Sequence, residues 1–359
     1  MRTIQMKKLQ VIYFLLAYWV GIFAVYGQTV PKNFKSLDRL LSQKFDAQFG
    51  YSVLVAHQGK VVFRKYGGYA HKRKKQKVNK NTLFNIASIT KSVTAVGIFK
   101  LIEQGKLHLS DPLSKFFIDV PSDKKAITIA QLLAHRSGFK QNYVCDGVKD
   151  AKKALKVILK DKLKFSPGSG FSYSNQNYEM LALIIEKATG QTYEKYTDQA
   201  ILKPVGMTQT KFWEAGNESA ATASTNTRLS ARTKRKNWGF IGSGGLYTTA
   251  EDLWRFWQGV MGYKIVSRQS VSTMLDNYYK TSSELEVGYG WFTNSTTDWH
   301  SKEVWTRGNE SWGHNAVVRG FVDKEVVIIV LSNSGEMGDR NQTGNRAVSK
   351  EVADWLWSK

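Results

Sequence analysis

Ser88 and Lys91 stand three residues apart in the stretch FNIASITKS, among apolar neighbours that leave a lysine no easy route to water. A serine hydroxyl is a weak nucleophile at its ordinary pKa and needs an adjacent base. A lysine can be that base only if its ammonium loses a proton, which burial and nearby positive charge favour. A second constellation is Tyr173 and Asn175, in FSYSNQNYE, just after the turn residues Pro167 and Gly168. A phenol close to an ammonium is the other candidate for moving protons, and an amide can orient the lysine or bind a substrate amide. A third stretch, SWGHNAVVRG, offers His314, Asn315 and Ala316. Each pattern alone has an ordinary explanation: a helix start for Ser-x-x-Lys, and a satisfied structural histidine for His314. Their joint occurrence in one chain is what points to nucleophilic chemistry.

The elements around these residues can position them. ITKSVTAVGIFKLIEQGKL reads as a helix with Ile89, Val93 and Val96 on one stripe and Ala95, Ile98, Phe99 and Ile102 on another. Apolar residues on more than one face predict burial nearly all round, and Gly105 is the natural stop. Ser88 then stands at the helix N-terminus with Lys91 one turn on, on the same face. Free backbone N–H groups and the helix dipole there favour an alkoxide or oxyanion. Upstream, the runs Ser52–Ala56 and Lys60–Tyr66, joined by HQG, predict a β-hairpin. After Asn175, Leu181, Ile184, Ile185 and Ala188 mark a helix closed by Gly190. The stretch from residue 311 to 333 predicts two antiparallel strands with a turn near Asp323 and Lys324, and SKEVADWLWSK a final helix.

With 359 residues, 42% of them apolar, the chain can bury a large core. The five prolines form no linker, and no repeat is visible. Arg2, Lys7 and Lys8 precede an uncharged run from Val11 to Gly27, with small residues before a cut at Gln28. That is the pattern of a secretory signal peptide over 1–27; the run is short for a membrane span, which needs roughly 20 apolar residues. The chain is therefore expected in the periplasm or secreted, and on a membrane only if the segment is uncleaved. Cys145, the single cysteine, allows no intramolecular disulfide. The net charge of +23 predicts attraction to anionic envelope polymers. Its densest cluster, HKRKKQK, comes with no recognition motif for a specific nucleic acid. The six histidines show no metal-ligand spacing. The GSGG at 242–245 lacks the context of a dinucleotide fingerprint. No cofactor is expected.

Ser-x-x-Lys at 88–91, Tyr-x-Asn at 173–175 and a His-led motif at 314–316, in that order, resemble the serine β-lactamase and penicillin-binding protein superfamily. The resemblance is closest to its class C β-lactamase, D-peptidase and esterase branch. QLLAHRSGF, ILKPVGMTQT and GSGGLYTTAEDLWRFW resemble recurring segments of it, so the similarity runs from about residue 35 to the C-terminus. It implies an α/β (α+β) fold: an antiparallel sheet flanked by helices, with an all-helical region inserted. Residues 28–359 would form the hydrolase domain, with the sheet region at about 30–110 and 240–359 and the helical region at about 111–239. It also implies Ser88 as acyl-forming nucleophile, Lys91 and Tyr173 as the proton carriers, and Asn175, His314, Ala316 and Val317 as substrate-binding positions. The oxyanion would lie between the N–H groups of Ser88 and Val317. Ala316 stands where the family has glycine, a departure expected to crowd bulky amide substrates more than small esters. The implied substrate is a peptide, amide or ester. Two other classes compete: an envelope binding protein that keeps the pocket without catalysis, and a structural protein held to polymers by charge. The four residues Ser88, Lys91, Tyr173 and Asn175 together favour the enzyme.

Overall fold

The computed structural model describes residues 33–45, 49–213, 220–221, 234–276, 279–281, 285–294, 299–310, 313–333 and 344–357. The signal-peptide expectation over 1–27 lies outside the described residues. Among the described residues no helix is long and apolar enough to cross a membrane.

The chain enters through helix α1 (Lys35–Lys44) and the hairpin of β1 (Tyr51–His57) and β2 (Lys60–Gly67). The turn residues Gln58 and Gly59 both have positive φ, 49° and 71°. Two such residues twist a tight turn to match the strands it joins. A short hairpin, β3 (Tyr69–His71) and β4 (Gln76–Lys77), carries the basic cluster, with Lys72, Arg73, Lys74 and Lys75 exposed at its turn. Strand β5 (Phe84–Asn85) leads through a 3₁₀ turn at Ala87–Ile89 into helix α2 (Thr90–Glu103). Every residue of α2 from Thr90 to Phe99 is buried, as its two apolar stripes predict, and Gly105 beyond its end has φ +70°.

Helices α3 (Ile129–Leu133), α4 (Ala151–Lys160), α5 (Asn175–Thr189) and α6 (Tyr193–Thr197) follow. Ser174 caps α5 by accepting from the Gln176 N–H, and Gly190 ends it in the left-handed conformation. Strand β6 (Lys211–Phe212) and strand β7 (Leu246–Thr248) pair beside β5 in a small sheet ordered β5-β7-β6. Helices α7 (Ala250–Met261) and α8 (Arg268–Leu275) return the chain to the main sheet. Its remaining strands are β8 (Tyr279–Lys280), β9 (Glu286–Val287), β10 (Phe292–Asn294), β11 (Glu303–Glu310), β12 (His314–Phe321) and β13 (Val326–Ser332). The order is β2-β1-β13-β12-β11-β10-β9-β8, antiparallel throughout. The β12–β13 turn falls at Val322–Lys324, and helix α9 (Asn345–Trp357) packs on these two strands.

Helices cover both faces of the sheet. On β12 the Arg319 guanidinium meets Ser349 of α9, while a side chain at Gly320 would strike Trp257 of α7. Neighbouring strand residues point to opposite faces, so α9 and α7 lie on opposite sides. That explains why β12 and β13 are buried at every position, and why β13 reads as a nearly continuous apolar run. The fold is thus the mixed α/β arrangement, with an antiparallel sheet flanked by helices, that the resemblance implies.

Candidate active site

Ser88 sits on the 3₁₀ turn between β5 and α2, half-buried at the floor of a cleft. The residue before it, Ala87, has φ +44°. A non-glycine residue there stores roughly 1–3 kcal/mol of strain and persists only when its surroundings hold it. Asn85 does the holding: its Oδ1 accepts from the Ala87 N–H at 2.7 Å, and its Nδ2 donates to the Gly244 carbonyl at 3.1 Å. The Ile86 N–H donates to the Leu246 carbonyl at 3.0 Å. The serine is therefore presented on a sharp elbow clamped to β7 and the loop before it.

Lys91 is only 3% exposed. Its Nζ donates to Ser88 Oγ at 3.1 Å, to Asn175 Oδ1 at 2.8 Å and to the Ser243 carbonyl at 2.9 Å. Three donors meet three acceptors, and none of the three is a carboxylate. The lysine is held against the serine by neutral groups, which orient it without pinning its proton through an ion pair. Tyr173 lines the same cleft, its ring centroid 5.0 Å from Nζ. Among the described residues its hydroxyl makes no hydrogen bond, which leaves it available to a bound substrate.

His135, to which sequence reasoning gave no role, supports this group. Its ring lies 4.3 Å from that of Tyr173, centroid to centroid. Its Nδ1 lies 3.1 Å from the Ser174 N–H and 3.0 Å from Asn177 Nδ2, and its carbonyl accepts from the Ser172 N–H at 3.0 Å. Accepting at Nδ1 puts the imidazole proton on Nε2. Burial, then the Lys91 charge, hold its pKa well below the usual histidine range, so the ring is neutral. One histidine thus fixes residues 172–174, the loop that delivers Tyr173 and Asn175. A buried histidine just before Ser137 and Gly138, at the end of an apolar helix, was the available signal.

Ser88, Lys91, Tyr173 and Asn175 are brought together; His314, Ala316 and Val317 are not. These three lie on β12, one strand too far into the sheet. In the register His314 faces Glu310, Ala316 faces Gly308 and Val317 faces Arg307. None of the three lines the cleft. β12 has β11 on one side and β13 on the other, so its N–H groups are already committed to strand neighbours. His314 is buried against the edge of Tyr247, and burial pushes its pKa down to about 4. It is a neutral structural histidine.

The strand beside the nucleophile is β11. It pairs with β10 only at residues 303–305. From Thr306 onward, among the described residues, no strand covers that edge, which runs along the Ser88 turn. An uncovered edge is a template for an extended substrate. Thr306 and Arg307 line the cleft, and Thr306 is tied to α2 through Ser92 Oγ at 3.2 Å. A Cβ on Gly308 would stand 1.9 Å from the Ile86 carbonyl oxygen and 3.0 Å from Ala87 Cβ. The glycine expected at 316 is therefore at 308, and the Ala316 departure does not bear on the cleft. Gly308→Ala should push β11 off the serine turn, and a misplacement on the order of 1 Å can cost roughly 10²-fold in rate. Its kcat/KM on an acyl substrate is expected to fall by about that factor, with Ala316→Gly close to wild type. The reverse ranking would return the substrate strand to β12.

The cleft has a volume of about 490 Å³, lined by Ser88, Tyr173, Asn175 and Arg307 and walled by aromatic residues that include Phe171, Phe240 and Trp305. A smaller cavity of about 20 Å³ adjoins it, bounded by Ser88, Lys91, His135 and Tyr173. That is room for one water with polar partners. Among the described residues no group of histidine, cysteine or acidic side chains could hold a metal ion.

The beta-lactamase family model matches residues 37–353. Protein flp of Staphylococcus aureus (strain N315) is 33% identical over 264 residues, which are 68% of this chain and 53% of the relative. The match thus spans about half the length of that relative. Penicillin-binding protein 4* of Bacillus subtilis (strain 168) is 26% identical over 336 residues, 86% of this chain and 73% of the relative. Among solved structures, the octameric penicillin-binding protein homologue from Pyrococcus abyssi superposes with a TM-score of 0.78 at 24% identity, over 90% of this chain and 77% of that one. A class C beta-lactamase gives 0.78 at 20% identity, over 90% and 95%. At these identities the two structures speak for the fold.

Proposed function

Because the chain belongs to the beta-lactamase family, we propose that it is an exported serine hydrolase acting through an acyl-enzyme on a peptide, amide or ester of the cell envelope. The observation that carries this reading is the contact of Lys91 Nζ with Ser88 Oγ at 3.1 Å, in a cleft where every partner of the lysine is neutral.

Ser88 Oγ attacks the carbonyl carbon, and its proton passes to the Lys91 amine. The carbonyl becomes an oxyanion, met by the Ser88 N–H at the helix start and by the free edge of β11. As the tetrahedral centre collapses, the leaving group takes a proton relayed from Lys91, with the Tyr173 hydroxyl as the carrier nearest the open cleft. The ester left on Ser88 is then hydrolysed by a water that gives its proton back along the same route. The small cavity against Ser88, Lys91 and Tyr173 suits that water. Aromatic walls favour an apolar body on the substrate, and Arg307 favours an anionic group near the scissile bond. Export is supported by the basic start and the uncharged run Val11–Gly27. The exposed basic hairpin at 71–77 would hold the protein near anionic polymers.

The rival reading, a binding protein without catalysis, draws on Ala316 and on the basic surface; with Ala316 away from the cleft, only the basic surface supports it. Incubation of the mature chain with β-lactams, D-alanyl peptides and short-chain esters, followed by intact mass, tests the proposal. At least one class is expected to give a transient acyl adduct and released product. Binding of all three with no adduct and no turnover would favour the rival.

A further inference from the structure

His135 is buried against Tyr173, and its hydrogen bonds fix where its proton lies. The Ser174 N–H, which can only donate, reaches Nδ1 at 3.1 Å. Asn177 Nδ2 reaches the same nitrogen at 3.0 Å. The other end of that amide, Oδ1, accepts from Ser137 Oγ, which in turn accepts from the Phe139 N–H. Nδ1 thus accepts twice, and the imidazole proton sits on Nε2. Nε2 has no hydrogen-bond partner among the described residues. The rings of Tyr173 and Tyr178 flank the imidazole at 4.3 and 5.2 Å, centroid to centroid. With its faces flanked and Nδ1 taken, the edge that carries Nε2–H is left to the cavity of about 20 Å³ that His135 lines with Ser88, Lys91 and Tyr173. A buried donor without an acceptor is unfavourable, and a water-sized cavity beside it supplies one.

We propose that the Nε2–H of His135 holds and aims the water that hydrolyses the acyl-enzyme. The proposal rests on the acyl-enzyme reading above. Lys91 cannot do the holding, because Ser88, Asn175 and the Ser243 carbonyl already take its three N–H bonds. A water that accepts from Nε2–H keeps one lone pair for the acyl carbon on Ser88. Its oxygen bonds to that carbon, and one of its protons passes to the Tyr173 hydroxyl and on toward Lys91. The bond from the acyl carbon to Ser88 Oγ then breaks, and Oγ takes a proton back along the same route. The acid leaves and the serine is restored, with no proton gained or lost by the site. His135 transfers none, since its two Nδ1 donors keep it in one tautomer. What it contributes is position, and a misplacement on the order of 1 Å can cost roughly 10²-fold in rate. Acylation uses no water, so the Nε2–H acts on the second half of the reaction only. The Nδ1 side serves both halves, by holding residues 172–174.

The two ring nitrogens can be tested apart. In His135→Asn the shorter amide keeps an acceptor near the Nδ1 position and removes the outer N–H. In His135→Gln the longer amide returns an N–H near the Nε2 position. With a short-chain p-nitrophenyl ester, the burst of nitrophenol reads acylation and the steady rate reads deacylation. His135→Asn is expected to slow the steady rate by roughly 10²-fold, about tenfold or more beyond any effect on the burst. Acyl-enzyme should then accumulate by intact mass. His135→Gln is expected to recover part of the lost ratio of steady rate to burst. Burst and steady rate falling in step in both variants would overturn the proposal, because a purely structural histidine loosens the Tyr173 loop for both halves. A second measurement needs no turnover. In full chain with isotope-labelled histidine nitrogens, the imidazole signal lost on either substitution should show Nε2 protonated and in nuclear Overhauser contact with a long-lived water. A proton on Nδ1, or an Nε2–H without that water, overturns the proposal as well. A chain that takes no acyl group faults the Ser88 reading instead, and the imidazole signal still reports on His135.

Discussion

Ser88→Ala is expected to lower turnover of an acyl substrate by at least about 10⁴-fold, the scale on which removal of a serine nucleophile disables a hydrolase. The loss should be chemical and not structural. The substitution removes one oxygen from a half-buried turn whose shape is set elsewhere, by Asn85 on the Ala87 N–H and by Ile86 on Leu246. Lys91 keeps two of its three acceptors, Asn175 and the Ser243 carbonyl. The melting temperature should therefore stay near wild type while kcat collapses. Turnover within tenfold of wild type in a folded Ser88→Ala chain would mean that another residue, or an activated water, attacks the substrate.

Lys91→Ala should cost about 10²–10⁴ in kcat, the usual range for losing a general base. Here stability falls too. The Asn175 amide oxygen and the Ser243 carbonyl lose their buried donor, at roughly 1–3 kcal/mol for each acceptor left unsatisfied. The assay must then be run well below the variant's own melting temperature. Lys91→Arg separates charge from chemistry: a guanidinium restores positive charge but cannot give up a proton near neutral pH. It is expected to be as inactive as the alanine variant. Recovery of rate with arginine would show that position 91 acts through its charge alone, and would move the base to Tyr173.

Much of this arrangement was legible in the sequence because local rules governed it. The β1–β2 hairpin followed from two β-rich runs around a Gln-Gly turn, and α2 from apolar residues on two stripes ending before Gly105. Ser88 and Lys91 were readable because they are three residues apart where the 3₁₀ turn runs directly into α2, so that spacing alone fixes their meeting. Tyr173 and Asn175 were readable as the lead-in to α5. The third strand was misplaced by one because its position depends on sheet order, which has no local signature. His314 and Ala316 sit in a stretch that reads as a strand, whereas Gly308 lies just before it, in a stretch that the sequence does not mark as one. Only the register shows that β12 is enclosed by two neighbours and that β11 has the open edge. Asn85 and His135 were missed for a related reason. Each acts through residues distant in sequence: Asn85 through Gly244, and His135 through Ser174 and Asn177.

Ser88 carries the covalent intermediate of the proposed reaction. The most direct test is to trap wild-type chain with an active-site serine probe, digest it and map the adduct by tandem mass spectrometry. One adduct per chain is expected, on the peptide that holds FNIASITK and on the side chain of Ser88. An adduct on any other residue, or the same labelling in Ser88→Ala, would place the nucleophile elsewhere.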